Sequence, residues 1–182
     1  MKVVCFAGFS GSGKTTLLEG VIAALKSRGL RVSVIKHAHH RFDMDHPGKD
    51  SYRHREAGAV EVLIASDKRV ALLRELEQPQ QQSVHSLLAQ LDSTVDWVLV
   101  EGFKTSDLPK IEVWRPSVGH AALHPDDAHV IAVATDAPEQ VQQSPARPSD
   151  RQSVLQVLDI NQSAALAQWL VDNGQRFEYG AY

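Results

Sequence analysis

The sequence predicts an α/β fold, a mostly parallel sheet flanked by helices with an antiparallel β-hairpin inserted, and three observations carry that reading. Apolar strand-like runs alternate with helical patterns along most of the chain, as expected when a parallel sheet is covered on both faces. Residues Gly8-Phe9-Ser10-Gly11-Ser12-Gly13-Lys14-Thr15 spell G-x-x-x-x-G-K-T between a strand pattern and a helix pattern, the arrangement of a phosphate-binding P-loop. Two β-rich runs, residues 62–66 and 70–73, flank Asp67-Lys68-Arg69, which is hairpin spacing. Together these make the fold P-loop NTPase-like.

Each element follows from its local pattern. Val3-Val4-Cys5-Phe6-Ala7 reads as a buried first strand. A helix over 15–28 stops at Gly29, a residue suited to a left-handed cap. RVSVIK, residues 31–36, is the second strand, followed by a polar loop from His37 to about Tyr52 and a short helix over 51–57. After the hairpin and a Gln-rich stretch at 77–82 come a helix over 84–91 and an apolar strand over 97–100. Further strands are expected at 110–114, 130–134 and 154–158, with a closing helix at 164–171. Residues 139–151, rich in Gln, Pro and Ser, read as a surface loop, and the tail from 173 to 182 has no clear pattern.

The chain has 182 residues, 43% hydrophobic and 23% charged, within the range of an ordinary globular protein. A single domain over 1–182 is expected, with neither an internal repeat nor a domain boundary visible. No apolar run approaches the roughly 20 residues of a membrane helix, and no signal peptide is expected. A single cysteine, Cys5, rules out an intramolecular disulfide framework. It reads as a small buried hydrophobe suited to a reducing cytoplasm. The net charge of −3 gives no general attraction to nucleic acid or to acidic membranes, so anion binding must be local.

The loop names the anion. A triphosphate leaving water needs inward-facing N–H groups, and Ser10, Gly11, Ser12, Gly13, Lys14, Thr15 and Thr16 supply them together with the positive end of a helix. Lys14 should reach the β- and γ-phosphates, with its ammonium facing solvent until they arrive. Thr15 should ligate Mg²⁺, and Thr16 lies near the α-phosphate. Asp96-Trp97-Val98-Leu99-Val100-Glu101-Gly102 ends a strand in a carboxylate. Glu101 is therefore the expected acidic partner of the metal, directly or through water. Aspartate is more usual at that place.

Two further constellations are weaker. Residues 36–54 leave the carboxyl edge of the sheet, where α/β proteins bind ligands, and are dense in His, Asp, Lys and Arg. Lys36, His37, His40, Lys49 and Asp50 are candidates for contact with a second, phosphate-bearing or pterin ligand, and Asp45 for the metal. A transition-metal site on His37, His39, His40 and His46 is the competing reading of the same loop. His129-Val130-Ile131-Ala132-Val133-Ala134-Thr135-Asp136 ends a late strand in a carboxylate. Asp136 is the candidate for guanine, whose N1–H and N2 amino group offer two adjacent donors. Trp97, Trp114 and Trp169 sit in apolar patterns and read as packing residues.

On GFSGSGKTT (8–16), IKHAHH (35–40), DHPGKDSY (45–52), Ala57-Gly58-Ala59, LVEGFK (99–104) and HVIAVATD (129–136), taken in order, the chain resembles the MobB family of molybdopterin-guanine dinucleotide biosynthesis proteins. The resemblance spans most of the chain. It implies a GTP-binding protein with weak GTPase activity, using GTP and Mg²⁺, often dimeric. It also implies a role in attaching GMP to molybdopterin beside the partner guanylyltransferase MobA. Ala38 stands where members often carry Asp or Thr, and the 139–151 loop looks longer than theirs. A small-molecule P-loop kinase, with Arg147 and Arg151 as its weak lid candidates, and a His-rich metallochaperone GTPase are the alternatives.

Overall fold

The computed structural model describes residues 1–38, 42–142 and 155–180. In chain order the elements are β1 (Lys2–Ala7), α1 (Lys14–Ser27), β2 (Val32–Lys36), α2 (Asp50–Glu56), β3 (Glu61–Ala65), β4 (Val70–Arg74), α3 (Val84–Leu88), β5 (Trp97–Glu101), β6 (Lys110–Val113), β7 (Val130–Thr135), α4 (Pro138–Gln142), β8 (Gln156–Asp159) and α5 (Ser163–Asp172). They fall into two compact units, one from the described residues of Met1–His37 and Val84–Tyr182, the other from those of Ala38–Ser83.

The larger unit is a six-stranded sheet of order β2-β5-β1-β6-β7-β8, every pairing parallel. Its central strands are buried on both faces, so they read as unbroken apolar runs. Period-two alternation divides β1 between two cores. Val4 and Phe6 join Leu17, Leu18, Val21 and Leu25 of α1 and Leu166 and Leu170 of α5. Val3, Cys5 and Ala7 join Val84 and Leu88 of α3 with Val98 and Val100. Cys5 donates to the Gly102 carbonyl at 3.0 Å. Burial pushes its thiol up to about 12, so it stays protonated and packs as a hydrophobe. The chain moves from β1 outward to β2 on one side and later to β6 on the other. The carboxyl end of β1 is thus a topological switch point, where open α/β sheets bind ligands.

Two features depart from the sequence reading. The tail carries a 3₁₀ turn, Gly174–Phe177, because Phe177, 1% exposed, packs against Trp97 and Trp169 with ring centroids 5.5 and 6.0 Å away. The stretch expected as loop from 139 begins inside α4, where Val141 is buried. Residues 143–154 lie outside the described residues.

The smaller unit contains α2 and the antiparallel pair β3–β4, with Leu63 opposite Leu72 and Ala65 opposite Val70. The expected hairpin is present, one residue longer at each outer end. No described residue from Phe42 to Ser83 is buried. Arg55 is its ionic hub, pairing with Asp43 at 2.9 Å, Glu75 at 2.8 Å and Asp45 at 3.3 Å.

Candidate functional site

The site starts with backbone constraints at the end of β1. Gly8 has φ 153°, and a Cβ there would press into the Val113 carbonyl oxygen, so only glycine lets the chain turn against β6. Gly13, at φ 93°, caps α1 and directs the first N–H groups of a 14-residue helix at the loop. Ser12 is buried, and its hydroxyl has no partner among the described residues. A loop with a glycine-lined concavity, a helix start and an orphaned hydroxyl fits a polyphosphate.

Sheet register delivers the acidic partner. Phe6 and Lys36 both align with Glu101, so the carboxyl ends of β1, β2 and β5 meet at one level. The Thr15 hydroxyl donates to Glu101 Oε1 at 2.8 Å, and Lys36 Nζ stands 3.4 Å from Oε2. Thr15 and Glu101 therefore present adjacent oxygens, the hard donor set Mg²⁺ prefers. Gly102, φ 98°, lies under His37; a Cβ would approach the His37 Cβ to 2.8 Å. The His37 amide donates to the Glu101 carbonyl at 2.9 Å, and its ring rests 4.6 Å from Phe103.

Lys14 is half-buried rather than solvent-facing, its ammonium donating to the Phe9 carbonyl at 2.7 Å. The loop folds the side chain back because its own carbonyl is the nearest strong acceptor. Burial draws the Lys14 pKa below the ordinary lysine value. Glu101 opposes that shift, and the neighbouring cations Lys104 and Lys36 reinforce it. The result is a cluster of three lysines around one carboxylate, an environment that an incoming anion relieves.

Sequence reasoning gave no role to two groups beside the loop. Lys104 Nζ lies 4.3 Å from the centre of the Phe9 ring, and His120 stacks on that ring at 4.1 Å. Arg115, two residues past β6, donates from Nη1 to Asp136 Oδ2 at 2.5 Å and from Nε to the Ser12 carbonyl at 3.3 Å. The available signal was position. Both Lys104 and Arg115 follow strands of a parallel sheet at its carboxyl edge.

Lys14, Thr15, Glu101, Lys36 and His37 are thus brought together, with Asp136 tied to the same loop through Arg115. Asp45, Lys49 and Asp50 belong to the smaller unit. There the Asp45 carboxylate accepts from Ser51 Oγ at 2.8 Å and from the His46 amide at 2.9 Å. Lys49 caps α2, and Asp50 faces Arg53 at 3.9 Å. His39 and His40 lie outside the described residues, as do Arg147 and Arg151. Among the described residues no three of His, Cys, Asp or Glu converge as ligands for a metal ion, and no helix is long and apolar enough to cross a membrane.

Comparison with known proteins places this arrangement. The family model MobB, molybdopterin guanine dinucleotide synthesis protein B, matches residues 3–136. The chain is 41% identical over 177 residues to the molybdopterin-guanine dinucleotide biosynthesis adapter protein of Escherichia coli, covering 94% of this chain and 93% of that one. It is 41% identical over 175 residues to the adapter protein of Haemophilus influenzae, covering 96% and 89%. Among solved structures, a MobB protein homolog from Bacillus stearothermophilus superposes with a TM-score of 0.60 at 25% identity, over 96% of this chain and 99% of that one. Bacillus subtilis MobB shares the fold with a TM-score of 0.68 over 99% and 100%.

Proposed function

The chain belongs to the molybdopterin guanine dinucleotide synthesis protein B family, and from that membership we propose that it is a GTP-binding adapter of molybdenum-cofactor synthesis. In this reading it assists the guanylyltransferase MobA in attaching GMP to molybdopterin and hydrolyses GTP only weakly by itself. The observation that carries the nucleotide reading is the 2.8 Å bond between Thr15 and Glu101, residues 86 positions apart. A strand-end carboxylate at the P-loop threonine has an evident use as a metal-holding pair.

Each residue then has a task. Main-chain amides of residues 10–16 hold the phosphates. Lys14 leaves the Phe9 carbonyl for the β- and γ-oxygens. Thr15 and Glu101 would hold Mg²⁺, which when bound neutralises charge between the β- and γ-phosphates. Lys36 is released from Glu101 to face the terminal phosphate. Asp136 accepts from the base. His37, at the carboxyl end of β2, would contact molybdopterin. Turnover is slow because, among the described residues, no arginine or glutamine is placed to stabilise the transferring group or orient a water. Such groups, when a partner supplies them, add about 10³–10⁵ in rate.

A second copy of the chain is part of this reading. One face of the β3–β4 hairpin carries Leu63, Val70 and Leu72 at 65, 66 and 47% exposure. A two-stranded sheet with an open apolar face is marginal by itself, and a homodimer would cover it. Calorimetric titration with GTP, ATP and Mg²⁺ tests the nucleotide assignment. Lys14→Ala is expected to weaken GTP by about 100-fold, the scale of charge-assisted phosphate bonds, with the melting temperature unchanged. Equal GTP affinity in the variant would refute it.

A further inference from the structure

We propose that Arg115 is a nucleotide-binding residue whose guanidinium moves from Asp136 to the α-phosphate, so that capturing the phosphate releases the carboxylate that reads the base. This deepens the reading of the loop as a guanine-nucleotide site and rests on it.

The placement of the side chain carries the argument. β6 is the neighbour of β1, so a residue just beyond β6 emerges beside the P-loop. Arg115 bonds the Ser12 carbonyl through Nε and Asp136 through Nη1. Its Nε and Nη2 stand 3.6 and 3.8 Å from where a Cβ on Gly13 would be. The plane of the guanidinium therefore lies along the turn whose amides open α1. Nη2 has no acceptor among the described residues, which leaves the fork half used. Arg115 borders a cleft of about 540 Å³ with Gly11, Gly13, Thr16, Ile160 and Asn161. That volume is within the range of small-ligand sites. One wall is the anion-attracting helix start; another, Ile160, is apolar and suits a ribose or base.

An anion entering between Thr16 and Arg115 meets a donor set shaped for phosphate. Arginine binds phosphate with two parallel N–H bonds, whereas here it gives Asp136 a single N–H. Both partners are about one-third exposed, 30 and 34%, so as a strut the pair contributes little. The nucleotide phosphates, whose summed charge exceeds that of one carboxylate and whose oxygens match both arms of the fork, win the guanidinium. Asp136 is then an unpaired acceptor beside the nucleotide, free for two adjacent donors such as N1–H and N2–H of guanine. Phosphate capture and base choice become one coupled event.

The test is calorimetry on the full chain with guanosine, GMP, GTP and ATP. The wild type is expected to bind GMP more tightly than guanosine. In Arg115→Ala that gap should close by about 10- to 100-fold, the scale of charge-assisted bonds, and the preference for GTP over ATP should shrink. Arg115→Lys should restore only part of the gap, because lysine lacks the fork. Asp136→Asn, which breaks the pair and spares the arginine, should weaken GMP and lose base preference while still binding GMP more tightly than guanosine. Wild-type affinity for GTP with an unchanged GMP-to-guanosine gap in the arginine variants overturns the proposal alone. So does a GMP-to-guanosine gap that closes in Asp136→Asn as far as in Arg115→Ala, since the pair would then be a strut. Wild-type protein that binds no guanine nucleotide would sink the underlying reading instead.

Discussion

The two compact units of this chain are stabilised by different means. The larger one holds some of the most deeply buried side chains, Phe6, Phe177, Leu25, Leu88 and Leu99 among them. The smaller one, from Phe42 to Ser83, buries none of its described residues and is knit by Arg55 and three carboxylates. A segment without a core cannot offset roughly 1–2 kcal/mol of backbone entropy per ordered residue from its own contacts. The difference teaches where rigidity and adaptability reside. The phosphate loop, Glu101 and Arg115 sit on a scaffold fixed by packing, whereas the 42–83 region has surface to give to another molecule.

The strongest way to break this contrast is to truncate one apolar side chain in each unit. Phe177→Ala deletes a ring packed on Trp97 and Trp169 and should cost about 3–5 kcal/mol of unfolding free energy in denaturant titration. Leu63→Ala removes a side chain that is 65% exposed and should stay within about 0.5 kcal/mol for the monomer. Comparable losses would mean that the smaller unit has a core of its own.

A sharper version probes what covers the hairpin. Leu72→Glu places a charge opposite Leu63 on the exposed face. If a second copy covers that face, sedimentation should show the dimer dissociating while GTP affinity stays within about twofold, since the phosphate-binding residues lie on other elements. An unaltered sedimentation profile would remove the hairpin from the interface.

The same contrast governs what the sequence reveals. The parallel strands were legible because a strand buried on both faces must be continuously apolar, as Val98, Leu99 and Val100 are. The turn from β1 into α1 was legible because its glycines and lysine are contiguous, and the place of Glu101 because it ends such a strand. The Arg115–Asp136 pair was not, since it joins residues beyond two different strands and no local pattern encodes that pairing. Lys110 and Glu112 are equally opaque. Both are 1% exposed inside β6, sustained by Asp127 at 2.9 Å and by the Leu123 and His124 amides from the segment that joins β6 to β7. The position of Phe177 likewise reflects tertiary packing overriding a tail without pattern.

The smallest expected effect concerns acid. The Asp45 amide and then Arg55 hold the Asp43 carboxyl below its ordinary value. Asp45 is also lowered: partial desolvation works against it, but Ser51, the His46 amide and Arg55 prevail. A carboxylate whose folded pKa lies below its unfolded value of about 3.9 stabilises fully above that value and loses its contribution as pH falls through the folded pKa. The 42–83 region should therefore open to proteolysis as pH falls below about 4, at acid-protease doses that spare the larger unit. Arg55→Ala should already be cut at neutral pH, with a smaller further change on acidification, because one of the groups that hold both carboxylates down is gone. Matching cleavage of wild type and variant across that range would show that the region is held by something other than its ionic hub.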